Sequence, residues 1–214
     1  MLRPGDNAGT GRARLTGTAH YSLVRPHFAV RGGNVSFTCR IPAGNCGLDA
    51  HLAVPPQTAV ILSTGGGNMQ VSALRSNLTL NSGGGDVTVS GPEGPVTVDT
   101  GGGNLTAGDL GGTLRFSTGG GDANGNGLSA PTVTTDSGGG NVTLVFTRPP
   151  ANLDVTSGGG DITILLPPGR TGYAITDSPG GGDYTRARTV RVNSGSAHKI
   201  EVDSGGGNIR IGTS

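Results

Sequence analysis

Eight times the chain sets an amide or an acid directly after a glycine triplet: Asn68, Asp86, Asn104, Asp122, Asn141, Asp161, Asp183 and Asn208. Oxygens repeated at such a fixed place can do two kinds of chemistry. Carboxylates beside backbone carbonyls can hold a hard cation such as calcium, which makes Asp86, Asp122, Asp161 and Asp183 the metal candidates. Alternatively, amides and carboxylates in one file can hydrogen-bond along it, because an amide N–H₂ donates where a carboxylate only accepts. In chain order the eight residues alternate Asn and Asp until the pattern breaks at Asp183. Carboxylates stacked about 4.8 Å apart repel by about 1 to 3.5 kcal/mol at effective dielectrics of about 80 to 20. An amide between them doubles the separation. The column therefore reads as a structural ladder of all eight residues, and calcium is the alternative.

Gly-Gly-Gly-Asp followed by alternating apolar residues resembles the nonapeptide calcium β-roll. Two departures separate the chain from it: the second half of each repeat, as in Ser72-Ala73-Leu74-Arg75, lacks the motif, and Asn halves the carboxylate supply. A phosphate cradle would need a helix or a lysine after the glycines, where a strand is expected. Hydroxyl residues precede the triplets at Thr64, Ser82, Thr100, Thr118, Ser137, Ser157 and Ser204, with Pro179 as the exception. Outward threonine pairs recur too irregularly for an ice-binding face. The acids are equivalent copies, and no His or Cys stands beside them to differentiate a base or nucleophile. No catalytic residue, cofactor site or firm metal site is assigned. A polysaccharide-active enzyme is kept as a second alternative.

What must position these residues is a repeat. Intervals between the anchors run 18, 18, 18, 19, 20, 22 and 25 residues. Apolar residues sit one and three places after six of the eight anchors, as in Val87 and Val89 or Ile162 and Ile164. Others sit eight and six places before six of them, as in Leu78 and Leu80 or Ile200 and Val202. Period two means strands with one buried face. Two strands and two turns per repeat make an all-β fold, a single parallel β-helix or β-solenoid of about 18–25 residues per coil and eight to nine coils. A degenerate ninth copy, Gly32-Gly33-Asn34, precedes the series. Glycines suit the corner through their access to positive φ. The Asp122 coil, with Ala123 and Gly125 inward, is expected to be thin or irregular. Most length variation falls opposite the glycines, as in Leu166-Pro167-Pro168-Gly169-Arg170.

Composition narrows the class. With 43 glycines, no tryptophan and 14% charged residues in 214, the core must be small and aliphatic. Glycine triplets between β-branched runs exclude collagen, and a net charge of +1 with 32% hydrophobic residues argues against disorder. Lys199 is the one lysine and the arginines are scattered, which argues against a nucleic-acid partner. No run approaches the roughly 20 apolar residues of a membrane span.

Cys39 and Cys46 flank a turn-forming hexapeptide, and the reading taken is a local disulfide made in an oxidising compartment. The alternatives are two unrelated buried thiols, or a metal site completed from His20, His27, His51 and His198. Residues 1–27, polar and aperiodic, are read as a poorly ordered linker. Residues 28–214 form the solenoid, with an N-terminal cap around 35–56. The last strand, Asn208 to Ile211, stops three residues before Ser214. It is expected to leave an open coil that either self-associates or carries a blunting irregularity.

The segment from Cys39 to Cys46 running into Leu52-Ala53-Val54-Pro55-Pro56, the serial Ser/Thr-Gly-Gly-Gly-Asn/Asp turns and the closing strands resemble the bacterial adhesin-type family of β-strand-repeat domains. That family is of unknown function and actinobacterial in type, and the resemblance covers residues 28 to 214. It implies a right-handed parallel β-helix held outside the cytoplasmic membrane, acting without catalysis as a structural or interaction module. The implied partner is a protein or a cell-surface glycan.

Overall fold

The computed structural model describes residues 14–21, 27–31, 34–38 and 46–214, with side chains from residue 53 onward. The chain divides into two units, Met1–Pro55 and Pro56–Ser214. In the first, β1 (Arg14–Tyr21) pairs antiparallel with β4 (Cys46–Ala53), and β2 (His27–Arg31) pairs antiparallel with β3 (Asn34–Thr38). Strand β1 lies inside the segment 1–27 that the sequence reads as linker. The degenerate copy at Asn34 is not a ninth coil: its strand is half of a hairpin-like antiparallel pair. It lacks the third glycine of the corner, and no apolar strand precedes it at the repeat's spacing. The disulfide expected between Cys39 and Cys46 lies outside the described residues.

The second unit is an all-β parallel solenoid in which eight stacked strand pairs make about seven turns of about 19 residues each. One sheet runs, in spatial order, β5 (Val60–Thr64), β7 (Leu78–Ser82), β9 (Val96–Thr100), β11 (Leu114–Thr118), β13 (Thr132–Ser137), β15 (Asn152–Ser157), β20 (Lys199–Ser204), β17 (Gly172–Ser178) and β19 (Arg191–Val192). The other runs β6 (Met69–Ser72), β8 (Val87–Ser90), β10 (Leu105–Gly108), β12 (Ala123–Leu128), β14 (Val142–Phe146), β16 (Ile162–Leu166), β21 (Ile209–Thr213) and β18 (Tyr184–Arg186). Each anchor thus owns one strand from each sheet. The pairs the repeat aligned are in register, with Leu78 beside Val96 and Val96 beside Leu114 on one wall, and Val87 beside Leu105 on the other. Their side chains are buried. At about 1.5–3 kcal/mol for each large apolar side chain fully buried, these columns are the main source of cohesion.

The thin coil is present and repaired. Ala123 is inward, and the register shifts between Gly125 and Leu128. A Cβ on Gly125 would meet Leu128 Cδ1 at 2.8 Å and Leu144 Cδ2 at 2.9 Å. Leu128, fully buried, therefore occupies the space a side chain at Gly125 would have taken. The bulge converts a missing inward residue into a closed core.

Two expectations are overturned. The C-terminal strands do not end the stack: β20 lies between β15 and β17, and β21 lies between β16 and β18. The terminal coil is instead the one bearing Asp183, whose strands β17 and β18 precede them in sequence. That coil carries the irregularities that blunt an edge. Gly180 has φ +58°, Gly182 N–H donates to the Pro179 carbonyl, and Arg186 donates to the carbonyl of Val190, a buried residue. Tyr173 is also buried there, edge-on to His198 with ring centroids 5.9 Å apart, and burial raises its phenol above the ordinary value of 10.0.

The second correction concerns the glycines. Among the triplet residues described, only Gly180 has a φ in the left-handed region. That conformation belongs instead to the opposite turn, where Ala73, Gly91, Asp109 and Gly127 stack with φ between 50° and 69°. The triplets exist for a different reason, set out next. Among the described residues no helix is long and apolar enough to cross a membrane.

Candidate functional site

Seven corners joining a strand of the first sheet to its partner in the second are built from Ser/Thr-Gly-Gly-Gly-Asn/Asp, and the eighth, between β17 and β18, has Pro179 in the first place. The hydroxyl faces inward. Ser157 Oγ accepts from Gly160 N–H at 2.9 Å and donates to the Gly140 carbonyl of the preceding coil at 3.0 Å. Ser137 and Ser204 repeat both bonds, as does Thr118. Thr64, Ser82 and Thr100 make the corner bond; from Thr118 on, the hydroxyl both closes its own corner and ties it to the preceding coil, which pairs buried backbone groups.

Successive corners lie almost in contact. In every triplet after the first, a Cβ on the first or third glycine would fall well within 3.0 Å of the carbonyl of the corresponding glycine one coil back, as for Gly119 against Gly101 and Gly121 against Gly103. The middle glycines, such as Gly102 and Gly120, have nothing within 4 Å. Close approach of backbone to backbone, and not left-handed φ, is why glycine stands at two positions in each triplet. The middle position has no such explanation.

The anchors follow the glycines and form the ladder. Asp86 N–H donates to Asn68 Oδ1, Asn104 N–H to Asp86 Oδ1, Asp122 N–H to Asn104 Oδ1, and Asn141 N–H to Asp122 Oδ1. Asp161 N–H donates to Asn141 Oδ1, Asn208 N–H to Asp161 Oδ1, and Asp183 N–H to Asn208 Oδ1, all seven at 2.7–3.0 Å. Asn104 and Asn208 also donate through Nδ2 to Asp86 and Asp161, at 3.1 and 3.2 Å. Because the last coil in sequence is next to last in space, the ladder reads Asn, Asp, Asn, Asp, Asn, Asp, Asn, Asp without a break. All eight residues named from the sequence stand in this column. The four calcium candidates are two coils apart from one another within it. Among the described residues no three His, Cys, Asp or Glu gather at one point.

The alternation predicts a salt-dependent variant. Asn104→Asp places three carboxylates in succession from Asp86 to Asp122 and removes the Nδ2 donor. Being exposed, the pairs feel the high-dielectric end of the Coulomb range, about 1 kcal/mol each. We expect a loss of about 1–2 kcal/mol at low salt and recovery of most of it near 1 M salt, where screening acts within about 3 Å. Urea unfolding at both ionic strengths measures this, and equal stability at both would contradict the ladder.

Beside the corner, the outward residues of the first sheet make a second file in spatial order: Ser63, Asn81, Asp99, Ser117, Asp136, Thr156, Asp203 and Ser178. Here too each acid is separated from the next by a neutral polar residue. Between this file and the anchors the missing side chains of the glycines leave a trough. Over the first coils it forms an open groove of about 520 Å³, walled by Ser63, Asn81, Asp99 and Ser117 and floored by glycines such as Gly83 and Gly101. No residue type or spacing signals this groove directly, although eight side-chain-free corners in register imply a furrow.

The family model described as Toastrack DUF4097 matches residues 18–212. No curated protein and no solved structure matches the chain.

Proposed function

Taking as premise that the chain belongs to the Toastrack family, which is of unknown function, we propose that it is a non-enzymatic structural and interaction module, adhesin-like, working outside the cytoplasmic membrane. The ligand would be a surface polymer, with a cell-surface glycan favoured over a protein. One observation carries this reading: the groove beside the glycine corner is open, polar and elongated along the stack, and it presents hydroxyl, amide and carboxylate groups once per coil. Sugars are bound through hydroxyls that both donate and accept, and Ser63, Asn81, Asp99 and Ser117 supply both roles. Within that wall the one side-chain bond is long, Asn81 Nδ2 to Ser63 Oγ at 3.4 Å, whereas the ladder residues are bonded to one another at every step, which makes them scaffold.

Cosedimentation with insoluble cell-surface polysaccharide tests the reading. The protein is expected to pellet with it, and Asn81→Ala with Asp99→Ala to reduce the bound fraction at least fivefold while leaving the unfolding midpoint near that of the parent. Failure of the parent to bind, or equal binding by the double variant, would overturn it.

A further inference from the structure

Each corner is a run of six residues: the outward residue of the first sheet, the hydroxyl residue or Pro179, three glycines and the anchor. The two polar files that bound the trough are therefore in phase with each other. Where the anchor is an acid the outward residue is neutral: Asn81 with Asp86, Ser117 with Asp122, Thr156 with Asp161 and Ser178 with Asp183. Where the anchor is an amide the outward residue is the acid: Asp99 with Asn104, Asp136 with Asn141 and Asp203 with Asn208. Only the first corner, Ser63 with Asn68, has neither. In stack order the trough thus carries one carboxylate per coil, on alternate sides, and no Lys, Arg or His stands in any of the eight corners.

The fold does not account for the outward acids. Among the described residues the side chains of Asp99, Asp136 and Asp203 take part in no hydrogen bond and no ion pair. Serine or asparagine would serve the sheet as well there, without the neighbouring charge. Three further features face the same trough. The ladder bonds to Asp86, Asp122 and Asp161 all fall on Oδ1, which leaves Oδ2 of each for another partner. The middle glycine of all eight corners has open space where a Cβ would stand, and none has a left-handed φ. Ser82 and Thr100, 7% and 6% exposed, line the groove and accept from their own corners, but unlike Thr118 they donate to no carbonyl of the preceding coil. Two almost buried hydroxyl donors are therefore free where the trough opens into the groove.

We propose that the groove binds a β-1,4-linked chain of 2-amino sugars whose amines are free and protonated, laid along the stack. This rests on the glycan reading above and names the class of glycan. In such a chain successive rings are turned over, so the ammonium groups point to alternate sides once per sugar. The rise per sugar is close to the spacing of about 4.8 Å between coils. One ammonium meets Asp86 Oδ2 and the next meets Asp99 across the trough, as charge-assisted hydrogen bonds. Ring oxygens accept from Ser82 and Thr100, and the rings rest against bare backbone at Gly84 and Gly102. A basic peptide fits worse. Extended backbone rises about 3.3 Å per residue, so its cations recur on one side about every 6.6 Å, whereas acids on one side of the trough recur about every 9.6 Å.

Isothermal titration of the full chain tests this with two β-1,4-linked glucosamine hexasaccharides, one fully N-acetylated and one with every amine free. The titration is run at about pH 6, where the carboxylates are ionised and most of the sugar amines are protonated. The free-amine oligomer is expected to bind at least tenfold more tightly than the acetylated one, and at least tenfold more tightly than a lysine hexapeptide. Asp99→Asn should weaken it at least tenfold with an unchanged unfolding midpoint, and Gly102→Ala at least fivefold without loss of stability. Asp203→Asn should weaken it less than threefold, because beside it Ser204 already donates to the Gly160 carbonyl.

Equal or tighter binding of the acetylated oligomer would overturn the proposal and leave the broader glycan reading to its cosedimentation test. Binding of neither sugar would overturn it, as would a lysine peptide that binds as tightly as the free-amine oligomer. So would equal losses from Asp99→Asn and Asp203→Asn, or a Gly102→Ala variant that binds like the parent.

Discussion

Gly121→Ala is expected to lower the stability of the solenoid by more than about 3 kcal/mol, while Gly120→Ala, one residue away, leaves it level or raises it slightly. The added methyl at Gly121 would meet the Gly103 carbonyl, its carbon and the backbone nitrogen of Asn104. None of these is the end of a flexible side chain. Relief would require two coils to part, which would break the corner bonds on both sides. Overpacking of a core costs about 1–3 kcal/mol when side chains yield, and more when only backbone is available. At Gly120 the methyl would point into open space, and the φ is not left-handed. Reduced freedom of the unfolded chain there contributes about 0.4–1 kcal/mol in favour of folding. Denaturant midpoints of the two variants side by side measure the contrast. Equal loss in both would mean that backbone freedom, and not proximity, is what the corner requires.

Ser157→Ala is expected to cost about 2–4 kcal/mol and Ser157→Thr less than about 1 kcal/mol. The serine is 1% exposed, accepts from Gly160 N–H and donates to the Gly140 carbonyl. Removing it strands a buried donor and a buried acceptor, each worth about 1–3 kcal/mol when unpaired. Threonine occupies the equivalent place at Thr100 and Thr118, where its hydroxyl makes the corner bond at 3.0 Å. An alanine variant with the parent's unfolding midpoint would show that the hydroxyl column is ornamental.

The repeat, the strand pairs and the ladder were legible because they rest on local periodicity. Residues such as Val87 and Val89 have to face one way in any strand. Coil order was not, because consecutive elements normally lie side by side, and a parallel strand will pair with any in-register neighbour. The clue was nevertheless present: the copy that breaks the Asn/Asp alternation, at Asp183, is also the one with Pro179 in place of a hydroxyl. Two lapses in one copy mark the coil that ends the stack. The left-handed turn was invisible because two of its four residues, Ala73 and Asp109, are not glycine. The groove belongs to no single residue and arises only when the bare corners are aligned.

Insertion of the C-terminal coil bears on how the protein is made. A solenoid stacked in chain order can settle turn by turn as it leaves the ribosome. Here the strands of residues 172–186 are synthesised before β20 and β21, the strands that join them to the rest of the finished stack. They must wait, or dock early on the Asp161 coil and be displaced. Completion of these two coils is therefore tied to synthesis through Thr213, and a polypeptide halted within β20 or β21 would lose the ordering of two coils, not one.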